Sequence, residues 1–237
     1  MTATKNRRTF VKLAASIAAV GAVTARGGGE ALAWPGGQPS HFVLVHGAWH
    51  GAWCWYKVKT LLEAAGQQVT VIDLPAHGVD QTPPGEVTLD AYRDRVVQVL
   101  DAQSAPVVLV GHSMGGIAIS AAAEVRPAKV ARLAYVSAFL LQNGQKMLDV
   151  ALNDLDSLVV PSVQFQPPVA DIKREAVREI FYAECSDADV TLASALLRPT
   201  PMAPLDQALT VSAANFGSVR RFYLSCTQDR AITPAAQ

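Results

Sequence analysis

The sequence has 237 residues, enough for one domain with a sizeable core, and 50% of them are hydrophobic while 17% are charged. These values are typical of a globular protein and exclude a disordered chain. Basic and acidic residues both total 20, but residues 1–33 hold five of the basic residues and only one acidic residue. Subtracting these leaves 15 basic and 19 acidic residues, and this acidic excess argues against a nucleic-acid partner.

Residues 1–33 have the pattern of an export signal. Arg7 and Arg8 precede an alanine-rich apolar run at residues 13–23, which is too short to span a hydrocarbon core of about 30 Å. The small-x-small sequence that ends at Ala33 is typical of a cleavage site. The segment resembles the bacterial twin-arginine (Tat) signal, which implies contact with the Tat export machinery and a periplasmic or secreted protein. A basic amphipathic anchor that stays on the protein is the alternative.

Beyond residue 33, strand-like and helix-like segments alternate. The strand-like runs are short, apolar and without strict alternation, as in strands covered on both faces of a parallel sheet. They are residues 42–45, 69–72, 107–110, 133–137 and 222–226. Helical patterns lie between them at residues 55–65, at 88–103 and after Ser113. This order predicts an α/β fold with a mostly parallel sheet flanked by helices.

The alternation breaks between about residues 139 and 205. Six prolines in this stretch frame one charged amphipathic pattern, which predicts a helix around residues 171–183. We interpret 139–205 as a cap inserted over the sheet of a single domain, residues 34–237.

The sequence Gly-His-Ser-Met-Gly at residues 111–115 directly follows an apolar strand and precedes an alanine-rich stretch. This order predicts a nucleophile elbow with Ser113 as the nucleophile, in which Gly111 and Gly115 leave room for neighbouring elements. The tight turn projects the hydroxyl above the sheet, at the start of a helix whose N–H groups favour a developing oxyanion. A serine in an ordinary turn of a non-catalytic fold is the alternative.

The loop after the first strand contains a second set of candidate residues. In folds with this elbow, that loop supplies the other oxyanion donor, so we expect the main-chain N–H groups of Ala48 and Met114 to serve together. His46 is interpreted as a structural residue rather than a base, and His112 as pointing away from the serine. We assign substrate binding to Gly47, Trp49 and His112.

These segments, taken together, resemble the methylesterase and hydroxynitrile lyase branch of the α/β-hydrolases. The matching stretches are residues 41–53, 61–66, 73–78 and 111–116, with further matches at 185–190 and 223–234. The resemblance implies a six-stranded sheet, a helical cap, no cofactor, and a small ester or cyanohydrin substrate. It also implies Asp229 as the acid of the catalytic triad. The position of Asp229 after a late strand favours this role independently.

Two departures from the branch bear on function. Gly47 stands where its hydroxynitrile lyases have a threonine that binds the cyanohydrin hydroxyl, which favours an esterase. The branch has its catalytic histidine well beyond the acid, whereas eight residues follow Asp229 and all five histidines precede Ser113. We therefore expect the branch's base, last strand and last helix to be missing from these 237 residues.

The sequence thus favours a serine hydrolase that cleaves small carboxylic esters through an acyl-enzyme on Ser113. An inactive relative that binds a small apolar ligand and a hydroxynitrile lyase are the alternatives. Cys54, Cys185 and Cys226 have the spacing of neither a disulfide framework nor a metal site. The sequence leaves a homodimer open.

Overall fold

Five parallel strands form the main sheet of the protein in the computed structural model. The structure describes residues 40–237, and the predicted signal at residues 1–33 lies outside the described residues. The strand order is β2-β1-β3-β4-β8, and each neighbouring pair is parallel. The bounds are β1 His41–Val45, β2 Gln68–Ile72, β3 Val107–Ser113, β4 Val130–Ala138 and β8 Arg221–Leu224. The predicted α/β fold is confirmed.

The central strands are buried on both faces, as their unbroken apolar runs predict. Three helices cover the sheet: α1 Tyr56–Ala64, α2 Leu89–Asp101 and α3 Gly115–Val125. Helix α2 begins where the Thr88 hydroxyl accepts a hydrogen bond from the Ala91 N–H group (3.2 Å), an N-cap. It buries four side chains at helical spacing, namely Leu89, Tyr92, Val96 and Leu100.

Residues 139–205 form a cap of mixed structure. The cap helices are α4 Met147–Asn153, α5 Val177–Phe181, α6 Asp187–Leu196 and α7 Ala203–Asp206. An antiparallel sheet joins them, made of β5 Val163–Gln166, β6 Val169–Ile172 and β7 Thr200–Pro201. The helix predicted at residues 171–183 is confirmed only in its middle: β6 occupies its start, and a 3-10 turn at Arg174–Ala176 leads into the five residues of α5. In β6 the buried residues Ala170 and Ile172 alternate with less buried neighbours, which is the period of a strand.

The topology brings three loops to one edge of the sheet. Because parallel strands end at the same edge, the segments that follow β1, β3 and β8 lie there together. Strand β8 has β4 as its neighbour on one side, and no strand between residues 40 and 237 pairs with its other side. The described sheet therefore has five strands, where the resemblance implied six. In the same range, no helix is long and apolar enough to span a membrane.

Candidate active site

Ser113 lies at the sharp turn between β3 and α3. Its backbone is in the left-handed region, with φ of 52°, which costs a non-glycine residue free energy unless its surroundings enforce it. Within residues 40–237 only three other non-glycine residues share this region, and two of them, Trp49 and Ser137, lie beside Ser113 in the fold. Backbone strain thus concentrates around the predicted nucleophile, as in many functional sites.

The glycines around Ser113 allow backbones to approach closely. A Cβ on Gly115 would lie 2.7 Å from the carbonyl oxygen of His46, so only glycine lets α3 begin against the end of β1. A Cβ on Gly111 would lie 2.8 Å from the Gly115 carbonyl oxygen. A Cβ on Gly47 would lie 2.8 Å from the Cβ of Ser113. The loop after β1 therefore passes directly over the nucleophile because residue 47 has no side chain.

The loop after β1 forms a β-turn at residues 47–50. The Gly47 carbonyl accepts a hydrogen bond from the His50 N–H group (3.4 Å), and the third residue, Trp49, has φ of 63°. This turn leaves the N–H group of Ala48 without an acceptor among residues 40–237. The N–H group of Met114, which follows Ser113, has no acceptor in that range either.

Both of these amides belong to buried residues: Ala48 is 4% exposed and Met114 is fully buried. Buried N–H groups without partners are rare because each costs free energy comparable to a lost hydrogen bond. Two such groups near a strained serine match the donor pair that the sequence predicts for a negatively charged oxygen atom.

His46 orients one of these donors. The Leu74 N–H group donates to its Nε2 (3.1 Å), so Nδ1 carries the proton and donates to the Gly47 carbonyl oxygen (2.8 Å). That carbonyl belongs to the same peptide group as the Ala48 N–H, so the bond fixes the direction in which this N–H points. Burial, together with the neighbouring His77, holds the pKa of His46 well below its ordinary value. His46 is therefore neutral, and both of its nitrogens are occupied.

His50 and His77 are also buried and hydrogen-bonded on both nitrogens. His50 donates from Nδ1 to the Ala48 carbonyl (2.7 Å) and accepts at Nε2 from the Tyr182 hydroxyl (2.5 Å). His77 bonds the Pro75 carbonyl (3.0 Å) and the Thr200 hydroxyl (3.3 Å). Burial lowers the pKa of each to about 4. These imidazoles are neutral parts of the structure.

The other two histidines also make no hydrogen bond to Ser113. His41, at the opposite end of β1, bonds the Thr70 hydroxyl (2.8 Å). The ring of His112 lies edge-on to Trp55 and His50. No side chain within residues 40–237 hydrogen-bonds the Ser113 hydroxyl, so the described chain presents the nucleophile without a base.

Asp229 lies beyond β8, and both of its carboxylate oxygens have partners. Oδ1 accepts hydrogen bonds from the N–H groups of Ala231 (2.7 Å) and Ile232 (3.1 Å), while Oδ2 accepts one from the Ser137 hydroxyl. Ser137 is at the end of β4, the strand between β3 and β8. The carboxylate is thus held in a fixed orientation beside the strand that ends next to Ser113.

An apolar cavity of about 50 Å³ contacts three of the predicted site residues, Ala48, Trp49 and Ser113. On the side of the cap its wall includes Met147, Val160 and Phe181. The other predicted site residues, Gly47, His112, Met114 and Asp229, are not on this wall. The described residues hold no group of three histidine, cysteine or carboxylate side chains arranged for a metal ion, and their three cysteines are unpaired.

The sequence did not predict three residues that complete the site. Ser137 holds Asp229, Thr200 accepts a hydrogen bond from the Trp49 N–H group (2.6 Å), and Phe181 packs on the Trp49 ring. Each acts on a residue far away in the chain, so no local motif marks it. The proximity of Ser137 to the end of a predicted strand was the only available signal.

Comparison with known proteins places this geometry in a family. Residues 42–237 match the profile of the Alpha/beta hydrolase family. Salicylic acid-binding protein 2 of Nicotiana tabacum is 38% identical over 82% of this chain and 81% of its own length. A chloroplastic protein of Arabidopsis thaliana named as methylesterase 15 is 37% identical over 85% of this chain, but the chain spans about half the length of such Arabidopsis relatives.

The fold comparison agrees with the sequence comparison. A crystal structure of an Arabidopsis methylesterase superposes with a TM-score of 0.71 at 32% identity, covering 84% of this chain and 82% of that one. With a matching family profile, methylesterase relatives and the strand–serine–helix turn described above, the chain belongs to the Alpha/beta hydrolase family.

Proposed function

We propose that this protein hydrolyses small carboxylic esters through an acyl-enzyme on Ser113. The observation that carries the proposal is the pair of buried, unpartnered N–H groups of Ala48 and Met114 on either side of a strained serine that opens into an apolar cavity. The relatedness to methylesterases supports an ester as the substrate class.

The geometry accommodates both steps of acyl transfer. The Ser113 oxygen attacks the ester carbon, and the carbonyl oxygen, now negative, accepts hydrogen bonds from Ala48 and Met114. The C–O bond to the alcohol then breaks, and the alcohol leaves with a proton. Water attacks the resulting acyl-serine in the same way and releases the carboxylic acid. The small, apolar cavity favours short acyl and alkoxy groups.

The proton of Ser113 needs an acceptor, which the five histidines of the chain do not provide. The carboxylate of Asp229 is fixed in the way that a triad fixes the acid that orients its histidine. Its Oδ1 accepts hydrogen bonds from two main-chain N–H groups. A complete triad requires an imidazole that takes the proton and hydrogen-bonds Asp229. Without one, only the part of catalysis due to the oxyanion site remains, roughly 10³ to 10⁴ over water in serine proteases stripped of their triads.

Chemical rescue tests this proposal on the chain as it stands. Free imidazole in the buffer should accelerate the labelling of Ser113 by a small alkyl fluorophosphonate, followed by intact mass. Ser113→Ala should take up no label at any imidazole concentration. Labelling that imidazole does not accelerate, at a site that still binds small amides, would refute the proposed catalytic role.

A second candidate, ligand binding without turnover, is favoured by one observation: both nitrogens of His46, His50 and His77 are already used in hydrogen bonds. In that case the cavity would bind a small apolar carbonyl compound, and the rescue experiment would give no acceleration. The two candidates therefore predict opposite results in the same measurement.

We rank cyanohydrin cleavage below ester hydrolysis. Gly47 has no hydroxyl to bind a cyanohydrin, and the loss of such a contact in a buried site costs about 1 to 3 kcal/mol. A side chain there would collide with Ser113, since its Cβ would lie 2.8 Å from the Cβ of that residue. A version that is active on esters should therefore cleave mandelonitrile slowly, and equal turnover of both substrates would reverse this ranking.

We also propose Tat-dependent export to the periplasm or medium, on the basis of the twin-arginine pattern in the sequence. Changing Arg7 and Arg8 together to lysine should leave the precursor in the cytoplasm, because the receptor reads the paired arginines. Unchanged periplasmic recovery of that variant, measured by fractionation, would remove the assignment.

A further inference from the structure

Trp49 occupies a backbone position that ordinarily favours glycine. It is the third residue of the turn at 47–50, and its φ of 63° is unfavourable for a large side chain. Trp49 is nevertheless buried, with only 7% of its surface exposed. Contacts with neighbouring residues must therefore hold the indole in place.

The cap provides these interactions. The main-chain N–H of Trp49 donates to the Thr200 hydroxyl (2.6 Å), and its indole N–H donates to the Ala170 carbonyl (3.0 Å). Its carbonyl accepts from the Arg198 N–H group (3.0 Å). All three polar groups of Trp49 are thus hydrogen-bonded to the cap. The main-chain N–H bonds β7, the indole N–H bonds β6, and the carbonyl bonds Arg198, just before β7. Thr200 is fully buried and also bonds His77, so this attachment belongs to a fixed network.

The indole held in this way limits the cavity. It packs on Phe181 of α5, with ring centroids 5.8 Å apart, and both rings lie on the wall that also contains Ser113. The cavity of about 50 Å³ is small beside the roughly 300 to 1,000 Å³ of ordinary ligand pockets. A carbonyl group with a short chain fills that space.

We propose that Trp49 is a specificity-determining residue: the cap fixes its indole beside the oxyanion donor Ala48, and this restricts the site to carbonyl compounds with short acyl chains. The inference rests on the proposed function for the chemical class of its ligand. Its test requires binding alone, so it stands or fails independently of turnover.

Primary amides of increasing chain length are suitable probes, because they present a carbonyl oxygen to the two N–H groups and are not esters. We expect the full chain to bind propanamide more tightly than hexanamide, measured as dissociation constants by ligand-observed NMR. In Trp49→Ala the preference should reverse, with hexanamide gaining about 10-fold or more relative to propanamide, because its extra methylenes enter the vacated space. Trp49→Phe, which retains the packing on Phe181, should give a smaller gain.

Thr200 supplies the matched control. Thr200→Val removes the acceptor of the Trp49 N–H group with little change in volume, so it should weaken both amides by a similar factor and leave the chain-length preference unaltered. Thr200→Ser, which retains the hydroxyl, should restore the affinity. Two results would overturn the proposal: an unchanged chain-length preference in both folded Trp49 variants, or a preference of the unchanged protein for hexanamide over propanamide.

Discussion

The centre and the edge of the main sheet contribute differently to the site. At the centre, β1 and β3 have neighbours on both sides, and their ends and the loops after them contain the proposed nucleophile and the two proposed oxyanion donors among buried, hydrogen-bonded residues. At the edge, β8 has a single partner within residues 40–237, its residues are exposed or half-buried, and the loop after it holds Asp229.

This difference separates two parts of the chemistry. Stabilising an oxyanion depends on rigid dipoles that are already in place before the ligand binds, and the buried centre provides them. Proton transfer depends on a side chain held between Ser113 and Asp229, and the edge provides only the orienting carboxylate. We therefore expect changes at the centre to cost more stability than changes at the edge, and ligand binding to survive where turnover does not.

The largest expected effect is acid destabilisation of the centre. Burial lowers the pKa of His50 and His77 to about 4 and that of His46 well below its ordinary value, so all three are neutral in the folded protein. In the unfolded chain these histidines bind protons below about pH 6.5. The stability that their neutral state contributes is therefore complete above that pH and is lost as the pH falls towards 4. Each of His50 and His77 accounts for about 3 kcal/mol over this window.

Urea unfolding at a series of pH values measures this effect. The slope of the unfolding free energy against pH, taken between pH 6 and pH 5, should correspond to the uptake of more than about two protons on unfolding, because burial also lowers the pKa values of His112 and His41. His77→Gln, whose amide can replace the two hydrogen bonds, should reduce this number by about one. A slope of one proton or fewer in the unchanged protein would show that the buried histidines do not control its acid stability.

The next effect concerns close packing at the start of α3. A Cβ added to Gly115 would lie 2.7 and 2.8 Å from the main-chain oxygens of His46 and Val45, neither of which can move without displacing β1. Gly115→Ala should lower the free energy of unfolding by about 3 kcal/mol or more. Gly85→Ala is the control, because its nearest contact is 3.8 Å away, and it should stay within about 0.5 kcal/mol. Similar losses at both glycines would contradict the role given to the turn.

The sequence predicted the centre of the molecule better than its edge or its cap. The strands and the turn at Ser113 follow from signals within a few residues of one another: an apolar run, two glycines and a following helix. In such short stretches the local conformation determines the structure, so the pattern and the fold agree.

The parts that were missed depend on contacts between distant residues. Trp49 and Thr200 are 151 positions apart, and Ser137 and Asp229 are 92 apart. Nothing near Thr200 in the sequence indicates that its hydroxyl will meet the loop after β1. The predicted cap helix begins later than expected for a similar reason, since residues 169–172 pair with Val163–Gln166 and Thr200–Pro201 and form β6 instead.

A smaller effect is expected at the edge of the sheet. Ser137 is buried and donates a hydrogen bond to Asp229, so Ser137→Ala should cost about 1.5 to 3 kcal/mol of unfolding free energy, typical of a bond to a charged group. Ser225→Ala changes an exposed serine just beyond β8 and should have almost no effect on the chemical denaturation midpoint. If the two variants were equally stable, the bond to Asp229 would contribute nothing to holding the carboxylate.

The smallest expected effect is the difference in stability between two variants of Trp49. The sign of this difference tests the backbone strain at that residue. Replacing alanine by glycine in an ordinary helix lowers stability by about 0.5 to 1 kcal/mol, because glycine loses more backbone entropy on folding. At residue 49 the φ of 63° costs any side chain about 1 to 2 kcal/mol, and glycine avoids this cost. Trp49→Gly should therefore be at least as stable as Trp49→Ala, although both lose the indole.

Ala91→Gly in α2 provides the reference with ordinary backbone geometry, and it should be less stable than the unchanged protein by about 1 kcal/mol. Thermal and urea unfolding of the three variants give the comparison. Because the two Trp49 variants differ only at Cβ, the difference between their unfolding free energies contains no contribution from the indole and reports the backbone alone. If Trp49→Ala were the more stable of the pair, the turn would have relaxed to an ordinary φ once the cap released it. The left-handed conformation would then depend on the indole's hydrogen bond to Ala170 and its packing on Phe181 rather than on the turn itself.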